Sequence, residues 1–278
     1  MYLTKITALA CIVLTAAACG DTEETTTMDH SQHDMGGDHQ PTDAPTAHPL
    51  AHLVEGTYAI KMVIPKLQNL PVIGETESAV LSYSLGTIKQ QGHSFTITEQ
   101  PCHYVASTNE LIQVSIPDRI PAAITPTVTP ITFQGEGDNI SYDRAESVVV
   151  VGANLADPAN DPLPTSPDDD RVVDHEGDGK PGATAMISGM ISGELYYVQR
   201  QHYAYSGTRA ADGTLSGLLL DRSQQNTIDA TEDMLKSDTS STPIPERTTA
   251  TLLPLTGDYT CSQLIYELPT LFPERADQ

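Results

Sequence analysis

Gly56-Thr57-Tyr58-Ala59-Ile60-Lys61-Met62-Val63-Ile64 is the stretch whose reading decides the fold. Tyr58, Ile60, Met62 and Ile64 alternate with Thr57, Ala59, Lys61 and Val63, and a two-residue period puts the first set on one side of an extended chain. The segment therefore reads as a strand with one core-facing side. Short β-rich runs separated by Gly, Pro, Asn and Asp recur at 79–88, 93–98, 111–116, 146–152, 183–191, 194–206, 214–220 and 257–266. Between Tyr205 and Leu220, Ala211-Asp212-Gly213 separates two such runs, and Asp-Gly tolerates the positive φ of a tight hairpin.

Helix signals are scarce. Pro117 to Ile124 reads as a short turn, and Asp229 to Lys236 as a turn or two opened by Thr231, Glu232 and Asp233. Two Pro-rich loops, 117–130 and 156–170, interrupt the strands, and no fixed-period repeat points to a propeller or solenoid. The expected fold is all-β, a single antiparallel domain over 50–278 that closes either as a barrel or as a sandwich. Gly56-Thr57-Tyr58 is similar to the Gly-x-Trp start of lipocalins, with Tyr in place of Trp, and that resemblance implies the barrel. Trp is absent and Phe occurs only at 95, 133 and 272, so the core draws on Val, Ile, Leu, Tyr and Met.

Asp and Glu number 37 against 14 Lys and Arg, a formal net charge of -23. With no cluster of cations to meet a phosphate backbone, nucleic acid is excluded as a partner. No Gly-x-Ser-x-Gly, His-Glu-x-x-His, Cys-x-x-Cys, phosphate loop or dinucleotide fingerprint is present, so no reaction and no organic cofactor are indicated.

At the N-terminus, Lys5, the apolar run Ile6 to Val13 and Leu14-Thr15-Ala16-Ala17-Ala18-Cys19-Gly20 resemble a bacterial lipoprotein signal. The resemblance implies a signal peptide over 1–18, cleavage after Ala18, acylation of Cys19 and, with Gly20 following, an outer-membrane anchorage facing the periplasm or the cell surface. The apolar run is shorter than the roughly twenty residues a transmembrane helix needs. Residues 19–49 hold few core-forming side chains and many Thr, Asp, Glu, His, Gly and Pro, the composition of a disordered tether. A flexible coil of about thirty residues spans around 30 Å.

With Cys11 leaving in the signal and Cys19 acylated, Cys102 and Cys261 remain, an even pair in an oxidising compartment, which reads as a disulfide; the alternative is two buried thiols. Asp174-His175-Glu176-Gly177-Asp178-Gly179-Lys180-Pro181-Gly182 sets carboxylates at alternate positions with Gly at the turn, as a calcium loop does. Asp174, Glu176 and Asp178, the carbonyl of Lys180 and a carboxylate from Asp170 are the candidate ligands. Ala185 stands where the bidentate Glu of an EF-hand would be, and a plain acidic turn is the alternative.

Within the tether, Met28-Asp29-His30-Ser31-Gln32-His33-Asp34-Met35-Gly36-Gly37-Asp38-His39 resembles the Met-Asp-His-Ser runs of periplasmic copper-handling proteins. Met28, His30, His33, Met35 and His39 are thus candidate copper ligands, thioether and imidazole being what copper selects. A solvated tether carrying incidental histidines is the alternative.

The run 195–205 puts Leu195, Tyr197, Gln199, Gln201, Tyr203 and Tyr205 on one face. Tyr197, Tyr203 and Tyr205 are candidates to line a cavity for a small hydrophobic ligand; cross-strand packing on a solvated sheet is the other use of such a face.

Taken whole, the chain resembles lipoproteins found in delta-proteobacterial genomes, in which a lipobox and tether precede a β domain with an Asp-x-Asp-Gly-Asp-Gly-x-Pro-Gly-like loop. Here Glu176 replaces the second Asp. The resemblance implies a bilayer partner through Cys19 and no particular reaction. The expected function is a membrane-tethered, non-catalytic envelope lipoprotein whose β domain binds a ligand or an envelope protein, with calcium as a stabilising ion. The second expectation is copper binding or buffering through the tether.

Overall fold

The computed structural model describes residues 47–70, 74–106, 112–236 and 241–273, all within one compact unit, Asp43–Gln278. Its strands are β1 (Gly56–Leu70), β2 (Gly74–Gln91), β3 (Ser94–Ala106), β4 (Ile112–Ser115), β5 (Thr127–Glu136) and β6 (Asn139–Val151), then β7 (Ala183–Gly189), β8 (Gly193–Arg209), β9 (Leu215–Asp221), β10 (Gln224–Ala230), β11 (Ser241–Pro243) and β12 (Thr249–Leu255). Three helices accompany them: α1 (Ala51–Val54), α2 (Arg119–Ala123) and α3 (Cys261–Leu271).

Eight strands close a ring in the order β1-β2-β3-β5-β6-β8-β9-β12 and back to β1, every pairing antiparallel. Each ring strand pairs with the next one in the chain, and the last pairs with the first. This is an up-and-down barrel. Closure removes the open edges that a sheet of this length would otherwise present to other chains.

Alternation along the strands fills the inside. Tyr58, Ile60, Met62 and Ile64 of β1 meet Ile88, Phe95, Ile97, Ile131, Phe133, Ile140, Tyr142, Tyr205, Leu215, Leu219, Ala250 and Leu252, so all eight ring strands contribute. Leu50, Ala51 and Val54 of the α1 region join the same core, and the Tyr58 hydroxyl donates to the Val54 carbonyl at 2.7 Å. Where β1 carries large side chains, β2 answers with small ones. Gly86 lies opposite Tyr58 in the ladder, and a Cβ there would sit 2.6 Å from the Ile60 Cδ1.

β8 is 17 residues long and joins the ring to an extension of the same sheet. Its C-terminal half pairs with β6 and β9 inside the ring, whereas its N-terminal half pairs with β7 and β10 outside it. β4 lengthens that extension by pairing with β7. The inner face of the extension packs Val151, Ala183, Ala185 and Tyr197 against Tyr104 and against Ile120 and Ile124 of the α2 region. Its outer face is covered by the long segment 152–182: Ala153 and Leu163 pack on Tyr196, Val198 and Ile228. Buried Arg200 ties that segment down by donating to the Pro158 carbonyl at 2.6 Å and to the Asp161 carbonyl.

The structure departs from the sequence reading in several places; β10 (Gln224–Ala230), for one, overlaps the expected helical turn from Asp229, which shortens to Asp233–Leu235. The expected strand at 257–266 is instead the start of α3, because Thr260 and Gln263 form a reciprocal capping box and Leu264, Leu268 and Leu271 recur at helical spacing. β5 runs through what reads as a Pro-rich loop; Pro130 sits where β5 is paired with β3 alone, its pairing with β6 beginning at Ile131. β12 at 249–255 is not among the expected strands, yet it closes the ring. Cys102 and Cys261 are disulfide-bonded, and the bridge fastens the first turn of α3 to β3 on the barrel's outside. There Leu264 packs with Ala59 and Tyr83.

Candidate functional site

Inside the barrel, between the ring core and the core of the extension, lies a layer of buried polar side chains: Ser82, Ser84, Glu99, Thr129, Arg144 and Gln201. Its centre is an ion pair. Glu99 is 5% exposed and Arg144 3%; Arg144 Nη2 donates to Glu99 Oε2, and the Tyr205 hydroxyl donates to Glu99 Oε1 at 2.9 Å. Arg144 Nη1 donates to the carbonyls of Tyr203 at 2.9 Å and Ala145 at 3.1 Å.

Those carbonyls explain the arginine. The β6–β8 ladder slips by one residue between Arg144 and Ser147, and a bulge leaves backbone groups without ladder partners. Arg144 supplies the missing donors and rests 5.2 Å from the centre of the Tyr205 ring. Burial, then the Glu99 carboxylate beside it, push the Tyr205 phenol well above its ordinary range. The hydroxyl stays protonated and remains a donor.

The three tyrosines of the expected cavity face inward as their alternation implies, but they are shared between two cores. Tyr205 belongs to the ring core with Tyr203 packed against it, and Tyr197 belongs to the core under α2. Between them Gln201 Nε2 donates to Gln199 Oε1 at 3.1 Å, and the Tyr104 hydroxyl donates to Gln201 Oε1 at 3.4 Å. Burial raises the Tyr104 phenol to about 12, against the counter-pull of the Gln201 hydrogen bond. Burial likewise raises Tyr197, with Tyr104 adding to it, and Tyr203, with Asp221 adding to it. Asp221 is opposed by Lys66, Nζ to Oδ2 3.7 Å.

The acidic loop closes on its own bonds. Asp174 Oδ1 accepts from the amides of Gly177 at 2.8 Å and Asp178 at 3.0 Å, and Oδ2 from Gly179 at 2.7 Å. Burial works to raise its pKa, but the Gly179, Asp178 and Gly177 amides outweigh it and hold the carboxyl low. Asp178 accepts from Arg119 Nη2 at 2.9 Å and from the Lys180 amide at 2.9 Å. Glu176 Oε1 accepts from the Thr184 amide at 2.8 Å, and burial raises its pKa.

Lys180 directs its ammonium to Glu194 at 3.4 Å, and Asp170 is exposed. Among the described residues no three His, Cys, Asp or Glu side chains are gathered closely enough to hold a metal ion. Cys19 and the copper candidates Met28, His30, His33, Met35 and His39 lie outside the described residues.

Neither Glu99 nor Arg144 stands out in the sequence by type. Their phase does: Glu99 continues the inward series Phe95, Ile97, and Arg144 continues Ile140, Tyr142. A charge in step with core positions on two strands marks a buried pair, since neither charge can be left alone in a core.

No protein-family model, curated protein or solved structure matches the chain. The geometry therefore has to carry the functional reading. In the interior layer both Glu99 oxygens and both terminal nitrogens of Arg144 are engaged by neighbours, Arg144 Nε is left without a hydrogen-bond partner, and the layer lies between two apolar cores. It has the makings of a keystone.

Proposed function

We propose that the chain is a membrane-tethered, non-catalytic envelope lipoprotein, held by an acylated Cys19, whose β-barrel acts through its outer surface on a partner in the bacterial envelope. The observation that supports this reading is the packed interior. An eight-stranded barrel is just wide enough either to be filled by side chains or to hold one small ligand, and here all eight ring strands and α1 put buried apolar side chains into it. The signal-like N-terminus supports the anchorage, and the engaged acids and bases of the interior support a non-catalytic role.

The test is titration with an apolar fluorophore and a fluorescent fatty acid. The barrel takes up neither saturably; one-to-one binding with submicromolar affinity would make it a carrier and overturn the proposal. Mass spectrometry of the mature N-terminus checks the anchor, where an unacylated Cys19 would count against tethering.

A further inference from the structure

Three neighbouring strands of the ring, β5, β6 and β8, present six exposed side chains on their outer face in two rows. Thr132, Asp143 and Ser206 stand opposite one another in the first row, and Gln134, Ser141 and Thr208 in the second. The six line a shallow cleft of about 400 Å³ whose floor is the backbone around Tyr142 and Gly207. Neighbours in a row are about 4.8 Å apart across the strands, and the rows are nearly 7 Å apart along them.

The chemistry of the rows narrows the occupant. Phosphate polymers and anionic lipid headgroups need cations, and the cleft has none. Tight protein docking draws on Trp, Tyr or Arg anchors, also missing from these rows. What remains is short: hydroxyls and one amide that donate and accept, and one carboxylate that accepts, with Thr132 weakly engaged, its hydroxyl 3.4 Å from the Asp143 carbonyl. Both rows continue onto β9, where Ser216 faces Thr208 and Leu218, 57% exposed, faces Ser206. A ribbon laid across the strands thus meets a line of hydrogen-bonding groups and then an apolar step, which suits the hydroxyl edge and C–H face of a sugar ring.

We infer that this face binds an extended, uncharged, β-linked glycan chain running across β5, β6, β8 and β9. The inference names the partner class for the surface-acting module proposed above and rests on that reading, which the apolar-probe titration tests separately. Native gels of the full chain, cast with or without hydroxyethylcellulose or glycol chitin, test the inference itself. Migration slows at least twofold in one polymer gel. The double variant S141K/T208K, whose long side chains cover the cleft, restores free migration, while Tyr266→Lys on α3 stays retarded.

Should the lysine variant misfold by circular dichroism, Ser206→Ala with Thr208→Val removes hydroxyls without adding length and restores free migration instead. Equal migration in all gels overturns the inference, as does retardation that persists in the folded variants. A concentration-dependent dimer in sedimentation, abolished by the same variants, would assign the face to a second copy of the chain and equally overturn it.

Discussion

Breaking the Glu99–Arg144 pair should be among the most damaging single changes available to this barrel. In Arg144→Met the Glu99 carboxylate, 5% exposed, keeps the Tyr205 hydroxyl but loses its cation, and the carbonyls of Tyr203 and Ala145 lose their donor. Leaving one member of a buried ion pair uncompensated costs about 3–5 kcal/mol, which for a domain of this size lowers the midpoint of thermal unfolding by roughly 6–20 °C. Glu99→Leu strands the arginine and should cost about as much.

The double variant is the informative one. It removes both charges but still leaves two carbonyls and a phenol unpartnered, so it should cost about 2–4 kcal/mol, well below the sum of the singles, with a coupling of about 2 kcal/mol or more. Urea unfolding of the four proteins near neutral pH measures it. A single change costing under about 1 kcal/mol, or strictly additive costs, would refute the account of the pair as an interdependent keystone.

Other outcomes follow from the same geometry. Burial raises Tyr58 from 10.0 to about 12, despite the opposing Arg209, and Tyr104 from 10.0 to about 12. Their contribution to stability is therefore whole below the unfolded value and is lost as pH climbs through the folded one. Phenolate absorbance should stay low until the barrel opens cooperatively in strong alkali; gradual ionisation of all tyrosines near their ordinary range would contradict their burial. Replacing both Cys102 and Cys261 by Ser opens a loop with a sequence separation of 159 and should cost up to about 5 kcal/mol by chain entropy, read as a lowered urea midpoint. Because Asp174 and Asp178 are already met by amides and Arg119, a chelator should leave the melting midpoint where it is. A rise on adding calcium would show that an ion displaces Arg119. Gly207→Ala should destabilise the chain sharply, since a Cβ there would collide with the Ser216 carbonyl across the β8–β9 seam; an unchanged midpoint would mean the seam can yield.

The parts of the fold legible in the sequence are those where one strand carries its own pattern. β1 alternates cleanly because one side faces a core of Ile, Phe and Leu and the other faces α3 or solvent. The inward face of β8 was readable for the same reason, and the Ala211-Asp212-Gly213 turn from its dipeptide: Gly213 adopts φ 90°, and the Ala210 amide donates to the Thr214 carbonyl at 2.8 Å. The turn at Pro117 to Ile124 is α2.

What escaped depends on partners. β12 puts Ala250 and Leu252 into the ring core and Leu253 and Leu255 into the layer under α3, so apolar residues on both faces blur its period. α3 is hidden because Tyr259, Cys261, Leu264, Ile265 and Tyr266 suit a strand as well as a helix by composition, and the cap at Thr260 with the spacing of Leu264, Leu268 and Leu271 separates the two. The cavity-like tyrosine face was placed correctly by alternation, but alternation cannot say whether the space opposite is empty. Here the side chains of Phe133, Leu215 and Leu219 share that core.

A strand common to the ring and its extension has a mechanical consequence. β8 gives its first half to the extension and its second half to the ring, so tearing either assembly apart disturbs the backbone ladder of the other. Amide exchange along β8 should accordingly be uniformly slow from end to end, and pulling on the chain should rupture both assemblies in one event.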